Sequence, residues 1–412
     1  MNWLKRRKKY AMIKTKTATL APLGLPEFTA LMAMLFATVA FSIDAMLPSL
    51  PDIAQELSPL APNRAQLILS VFILGMGVGT LFAGPLADAF GRKLAIAAGL
   101  CLYLGAALAA HFAGTLEALL VLRCVQGLGA AAPRVAGVAL TRDLYQGSDM
   151  ARVMSLVMLV FMIVPALAPM MGQGIIWIAG WRAIFLAYVL FALIALFWLT
   201  LRQPETLAPS ERRALTLTLI LSGLREVLAS RDVRLYTLVM ALGFGQMLGL
   251  LSSIQQIFAQ TWHRGPEFPY WFALIAAISS TASLLNGRLV MRVGMRRMAL
   301  ASYVVQAVIS AVSLALFVII APGGTGGFAA FFFWASSIFF IAGLTFGNLN
   351  ALAMQKMGHL AGMATSVISS LSTVIAAAIA GGVGLIFDGS PVPAMAAAAV
   401  CSLAAALLMR KA

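Results

Sequence analysis

Charge is what this chain has least of. Only 10% of its 412 residues are Asp, Glu, Lys or Arg, and only 14 are acids. A water-soluble domain of this length needs a polar shell, and a hydrophobic share of 61% is too large for its core to hide. Cysteine is scarce as well. Cys101, Cys124 and Cys401 fall in apolar runs, odd in number and widely spaced, so they are expected as buried packing residues, not as a disulfide frame or a zinc site. His111, His263 and His359 stand alone without metal-ligand spacing, and no metal is expected. There is no H-E-x-x-H, no phosphate-binding glycine loop and no Ser/His/Asp set, so nothing points to an enzyme. The net charge of +15 would suit nucleic acid only if the basic side chains clustered with aromatics on a water-facing surface. They do not, and no nucleic-acid partner is expected.

What the chain has in excess is apolar length. Windows of about 20 apolar residues give twelve candidate spans, centred near 39, 75, 104, 129, 164, 192, 246, 280, 309, 340, 374 and 401. The fold class is therefore an all-α polytopic membrane protein of twelve transmembrane helices in two six-helix halves. An even count leaves both termini on one side. With that side cytoplasmic, Arg64, Arg182 and Arg264 lie outside, Arg123 and Arg134 lie within spans, and all other Lys and Arg fall inside, as positive-inside orientation requires. The expected division is a basic cytoplasmic arm at 1–27, a first bundle at 28–201, a cytoplasmic linker at 202–233, a second bundle at 234–409 and a short tail at 410–412.

The arm opens with Lys5-Arg-Arg-Lys-Lys9, and the apolar run behind it continues past 20 residues to an acid and a Pro. It is expected as an uncleaved topogenic arm able to rest on anionic lipid. In the linker, Pro209-Ser210-Glu211 supplies a helix start, and Leu215, Leu219 and Leu228 form an apolar stripe, which predicts a helix lying along the membrane surface. The halves also echo each other. Gly84-Pro-Leu-Ala-Asp-Ala-Phe-Gly-Arg-Lys93 follows span 2, and Gly287-Arg-Leu-Val-Met-Arg-Val-Gly-Met-Arg296 follows span 8, each with glycines seven apart. Such internal repetition is the mark of a duplicated transporter.

Within this setting Asp44 stands out, an acid in a helix expected from about Phe28 to Leu50. An ionised Asp at the bilayer centre costs roughly 2.5–3.5 kcal/mol, so it faces protein or water and usually has a role; the alternative is an Asp that caps a helix break near Pro48. Arg123 in span 4 is the basic counterpart. Each lies six or seven residues from the outer end of its span, close to 10 Å at about 1.5 Å per residue. A nearby guanidinium and a dry surrounding act on the Asp44 carboxyl in opposite senses, and the sum stays open. Arg134 follows Arg123 by eleven residues, close to three turns, on nearly the same face. It either snorkels as a structural residue or contacts a polar or anionic substrate. The second half holds no ionisable side chain deep in a span. It offers Gln246, Gln255, Gln256, Asn348 and Asn350 instead, neutral groups suited to an amphipathic ligand.

Several of these segments together resemble the major facilitator superfamily, and within it the twelve-span drug:proton antiporters. Gly84, Asp88, Gly91, Arg92 and Lys93 match the family's G-x-x-x-D-x-x-G-R-K loop, whereas Met291 replaces the acid in the second copy. Arg123-Cys-Val-Gln-Gly-Leu-Gly129 resembles R-x-x-Q-G-x-G, and Pro165, Pro169 and Gly172 resemble the antiporter motif, with Gln173 where a second Gly is common. Ser42-Ile-Asp-Ala-Met-Leu-Pro48 resembles the bicyclomycin and chloramphenicol resistance (Bcr/CflA) branch, although Phe36 stands where some exporters carry a second acid. The resemblance implies that spans 1 and 4 line a cavity where Asp44 and Arg123 sense each other, and that Asp88 and Arg92 join Asp143 to close the cytoplasmic gate. Asp88 would face a helix N-terminus there. It further implies proton-coupled efflux of small amphipathic drugs from the bacterial inner membrane by a monomer, with the proton gradient and no cofactor as the driving force. The substrate cavity would hold Asp44, Arg123, Arg134, Gln246, Gln255 and Asn348. The rival expectation is export of an endogenous sugar-like or anionic metabolite through the intramembrane arginines.

Overall fold

The computed structural model describes residues 23–411 apart from 213, 214, 216, 321, 322, 356 and 358–360. The basic run at 5–9 and His359 lie outside the described residues. Among the described residues, twelve helices are long and apolar enough to cross a membrane: Leu25–Leu57, Pro62–Phe90, Arg92–His111, Leu116–Leu144, Gly147–Ala179, Ala183–Arg202, Arg231–Thr261, Gly265–Val293, Met295–Ile319, Gly324–Met354, Gly362–Leu385 and Val392–Arg410. They are spans 1 to 12 below. The shortest, at 19 residues, still measures about 28 Å at 1.5 Å per residue, close to the thickness of a hydrocarbon core.

Local sequence sets where the helices begin and end. Thr115 Oγ1 accepts from Ala118 N at 3.2 Å to start span 4, and Ser230 Oγ accepts from Val233 N at 3.5 Å to start span 7. Gly91 and Gly294 occupy matching places in the two repeats, with φ of +105° and +85°. Each ends one span and begins the next without a break, a conformation that side chains other than Gly resist.

The pairings 1 with 5, 2 with 4 and 3 with 6 in the first half recur as 7 with 11, 8 with 10 and 9 with 12 in the second. Backbones approach very closely where a Cβ is missing. A Cβ on Gly75 would lie 2.0 Å from Cys124 O, and one on Gly127 2.0 Å from Phe72 O, so spans 2 and 4 interlock in both directions. The halves meet along spans 2 and 11 and along spans 5 and 8. One end carries the two Gly-flanked loops and the linker and is called here the basic end.

Three expectations need correcting. Span 1 does not stop at Leu50. Its α-helix ends at Asp44, a 3-10 turn spans Leu47–Ser49, and a further helix, Leu50–Leu57, completes the span. Pro48 and Pro51 withhold the donors that would carry the first helix through, so Asp44 lies 13 residues from the outer end, not six. The linker helix runs Leu217–Ala229, and Pro209–Glu211 forms a separate 3-10 turn. Part of its apolar side meets protein, since Val227 is fully buried with Leu224 and Leu228 packed around the same cluster and a Cβ on Gly223 would touch Met363, while Leu215 and Leu221 are exposed. Cys101 is exposed, while Cys401 is buried as expected. Span 3 turns that face outward, and Tyr103 and Ala107 supply its inner one.

Candidate functional site

The break in span 1 builds the site. Because the α-helix ends at Asp44, the carbonyl of Ser42 lacks a regular helical partner, and side chains from three other spans converge on that stretch. Arg123 Nη2 donates to Ser42 O at 2.9 Å, and Tyr188 Oη donates to the same oxygen at 3.2 Å. Tyr103 Oη and Ser42 Oγ form a short hydrogen bond, and Ser42 Oγ also donates to Thr38 O at 2.6 Å. Arg123 Nη1 donates to Gln126 Oε1 at 2.7 Å, one turn along its own helix. The guanidinium lies over the Phe72 ring, 4.4 Å from its centroid. Its Nε has no acceptor.

Arg123 is fully buried, and no acid pairs with it among the described residues. Asp44 and Arg123, expected to sense each other, therefore form no ion pair. The guanidinium holds the backbone two residues before the acid. Asp44 itself is 5% exposed, and its carboxyl receives no hydrogen bond among the described residues. Such a group is expensive to keep ionised, because both lone-pair sets have left water without replacement.

Span 5 presses on the same break. A Cβ on Gly172 would lie 2.2 Å from Ala45 O, so the two backbones touch beside Asp44. Pro165 and Pro169 both sit inside one uninterrupted helix, Gly147–Ala179, and that helix contacts span 8 of the other half. Arg134 is half-buried on the Arg123 face of span 4 and forms no hydrogen bond or ion pair among the described residues.

The second half departs from expectation. Gln246 accepts from Ser402 Oγ at 2.6 Å, and Asn348 donates to Asn286 Oδ1 and Leu344 O, both at 2.8 Å. Both amides are engaged in packing within their own half, so the structure does not present them as free cavity groups. Gln255 keeps an unpaired buried oxygen. The amide that does reach across is Gln256. Gln66 Nε2 bonds Gln256 Oε1, Ser253 Oγ donates to Gln66 Oε1 at 3.0 Å, and Asn63 Nδ2 donates to Phe387 O at 2.6 Å. These ties join the halves at the end opposite the basic loops. Gln66 and Asn63 carried no sequence signal beyond their place at the start of span 2.

At the basic end the expected cluster assembles. Arg92 pairs with Asp88, and its Nε donates to Asp143 Oδ2 at 3.1 Å. Arg92, one turn ahead, pairs with Asp88, and among the described residues no backbone amide donates to the Asp88 carboxylate. The N-terminus of span 3 is capped instead by Glu205, which accepts from Arg92 N at 2.9 Å and Lys93 N at 3.1 Å. Thr206 Oγ1 reaches Asp143 at 3.0 Å, and Lys93 Nζ reaches Thr200 O at 2.8 Å. Gly84 sits against Ser366 of span 11, its would-be Cβ 3.1 Å from Oγ. Sequence reasoning missed Glu205, Tyr103 and Tyr188. The available signals were an acid just past span 6 and polar-tipped aromatics in spans that are otherwise apolar.

The family model of the Major Facilitator Superfamily matches residues 31–381. The chain belongs to that superfamily. Among curated relatives, a bicyclomycin resistance protein homolog of Haemophilus influenzae is 30% identical over 82% of this chain and 83% of its own length. Multidrug resistance protein MdtL of Shewanella oneidensis is 36% identical over 42% of this chain and 44% of its own. The resemblance to Bcr/CflA-like exporters is thus borne out as kinship. Among solved structures, the xylose transporter XylE from E. coli superimposes with a TM-score of 0.71 at 14% identity, over 94% of this chain and 99% of that one. The fold is that of these transporters, in twelve helices. Among the described residues no group of His, Cys, Asp and Glu is disposed to hold a metal.

Proposed function

We propose that this transporter exports small amphipathic drugs of the bicyclomycin or phenicol kind in exchange for protons, and that Asp44 carries the proton. The observation that carries the proposal is the Asp44 carboxyl: almost fully buried, without a partner among the described residues, at the break of span 1, beside the contact that Gly172 of span 5 makes with Ala45. A carboxyl so placed is neutral when dry and ionises when water or a cationic or polar ligand reaches it. Kinship with a bicyclomycin resistance protein homolog and with MdtL supports drug as the cargo.

In this proposal the basic end is cytoplasmic, as positive-inside orientation favours, and the protein works as a monomer in the bacterial inner membrane with both termini inside. The Gln66–Gln256 ties hold the outer side closed. Substrate entering from the cytoplasm meets Asp44 and displaces its proton inward. After the outer side opens, Asp44 regains a proton and substrate affinity falls. Coupling follows from linkage, because a single carboxyl cannot be stabilised equally by both ligands. Arg123 positions Asp44 through the Ser42 carbonyl and needs no direct contact with the drug.

The test is chloramphenicol and bicyclomycin movement in proteoliposomes under an imposed proton gradient, wild type beside Asp44→Asn. Accumulation against a gradient by wild type alone upholds the proposal. Equal accumulation by both would mean that the coupling group lies elsewhere. A second reading, export of an anionic metabolite, is favoured by one observation, the unpartnered Arg134 guanidinium. It becomes the better one if neither protein moves drug and Arg134→Gln abolishes export of an organic anion.

A further inference from the structure

The two copies of the Gly-flanked loop have opposite electrostatic surroundings. In the first, three carboxylates serve the turn: Asp88 and Asp143 on Arg92, and Glu205 on the amides of Arg92 and Lys93. In the second, Met291 takes the place of Asp88 and is largely exposed. Span 10 brings Gln355 to the turn where span 4 brings Asp143, and the N-terminus of span 9 at Met295 has no side-chain cap. A groove of about 550 Å³ opens there, lined by Arg296, Arg297, Arg410 and Gln355 with Leu300 and Leu352 at its base.

No acidic side chain lines this groove. All 14 acids of the sequence lie among the described residues, and the ion pairs these form include none to Arg296, Arg297 or Arg410. Three guanidinium groups and free helix amides thus converge with no anion from a side chain, in the place where the first repeat supplies its own. Val293 of span 8 lines the groove and is exposed, and Met291, two residues before it on the same span, is more so. An apolar wall next to a basic groove, at the level where helices leave the bilayer, matches a ligand with a phosphate head and acyl chains.

We propose that this groove between spans 8, 9, 10 and 12 binds the phosphate headgroup of an anionic phospholipid, so that a lipid completes in the second half the charge cluster that Asp88, Asp143 and Glu205 complete in the first. The site is independent of which substrate is carried. It differs from general attraction to a basic surface in needing these arginines and not others.

The test is native mass spectrometry of delipidated full-length protein titrated with phosphatidylglycerol and with phosphatidylcholine. Wild type is expected to retain phosphatidylglycerol preferentially, and each Arg→Gln change at 296, 297 or 410 to weaken that preference roughly fivefold. Arg64→Gln and Arg264→Gln, at the opposite end, are expected to leave it unchanged. Met291→Asp restores the carboxylate of the first copy and is expected to weaken lipid binding without loss of fold, which separates occupancy of the site from damage to it. Preference unchanged in all three Arg→Gln variants and in Met291→Asp would overturn the proposal. Displacement of the lipid by millimolar inorganic phosphate would also overturn it, by showing a soluble-anion site.

Discussion

Gly172→Ala is the sharpest test of how span 5 bears on the Asp44 break. The added Cβ would lie 2.2 Å from Ala45 O, where ordinary contact begins near 3.4 Å. Backbone must therefore yield by more than an ångström, and the atom that has to yield belongs to the residue after Asp44. Overpacking of this kind costs about 1–3 kcal/mol, set against a gain of roughly 0.5–1 kcal/mol from replacing Gly by Ala within a helix. Gly174→Ala is the control. It lies two residues along the same helix with nothing within 4 Å of its would-be Cβ, so it receives the propensity gain without the clash. The expected outcome is a lowered apparent Tm and severely slowed drug transport in Gly172→Ala, with Gly174→Ala equal to wild type or slightly more stable. Thermal unfolding in detergent and transport in proteoliposomes read the two effects. Wild-type behaviour in Gly172→Ala, or equal damage in both variants, would refute the packing account.

Arg123→Lys is expected to reduce transport at least tenfold in a protein that still folds, because an ammonium cannot span Ser42 O and Gln126 Oε1 as the planar fork does; retained activity would mean that charge alone suffices. Gly91→Ala and Gly294→Ala both force a side chain into positive φ with extended ψ, at about 1–3 kcal/mol, but only the first drives a Cβ to within 2.3 Å of Glu205 Oε2. Gly91→Ala should therefore lower Tm further than Gly294→Ala, and equal shifts would argue against the Glu205 cap. Gln66→Ala removes the bonds to Gln256 and Ser253. Spin labels at Arg64→Cys and Asp388→Cys in a cysteine-free background should then report a new, longer distance, and an unchanged distribution would mean that the amides do not hold that end.

The membrane architecture was legible because apolar length is a one-dimensional signal: every expected span centre falls within one of the twelve helices. Local motifs were legible too, for the first Gly-flanked loop places Arg92 on Asp88 and Asp143 as the resemblance to the superfamily's loop implied. What sequence could not convey was who meets whom across spans. Periodicity puts Asp44 and Arg123 at similar depth, but it does not say which group the guanidinium reaches, and that group is the Ser42 carbonyl and not the acid. The same limit applies to Gln246 and Asn348. Their polarity was visible, whereas their partners Ser402 and Asn286 lie 156 and 62 residues away. Glu205 was hidden for another reason. Its role depends on span 6 delivering a loop residue to the start of span 3, a contact over more than a hundred residues.

The two ends of the molecule are held by different forces, and the difference bears on how one carboxyl could drive the cycle. At the basic end the ionic contacts Arg92 to Asp88, Arg92 to Asp143 and Glu205 to the span 3 amides all stay within the first half and the segment that follows it. They stiffen that half but do not tie it to the other. At the opposite end the ties do cross, and they are neutral amide and hydroxyl bonds. A neutral hydrogen bond contributes about 0.5–1.5 kcal/mol net, so opening that end requires only a few kcal/mol. One pH unit acting on one proton supplies about 1.4 kcal/mol, and 100 mV of membrane potential adds about 2.3 kcal/mol per charge moved. The driving force available to Asp44 alone is thus of the same order as the latch it would have to release.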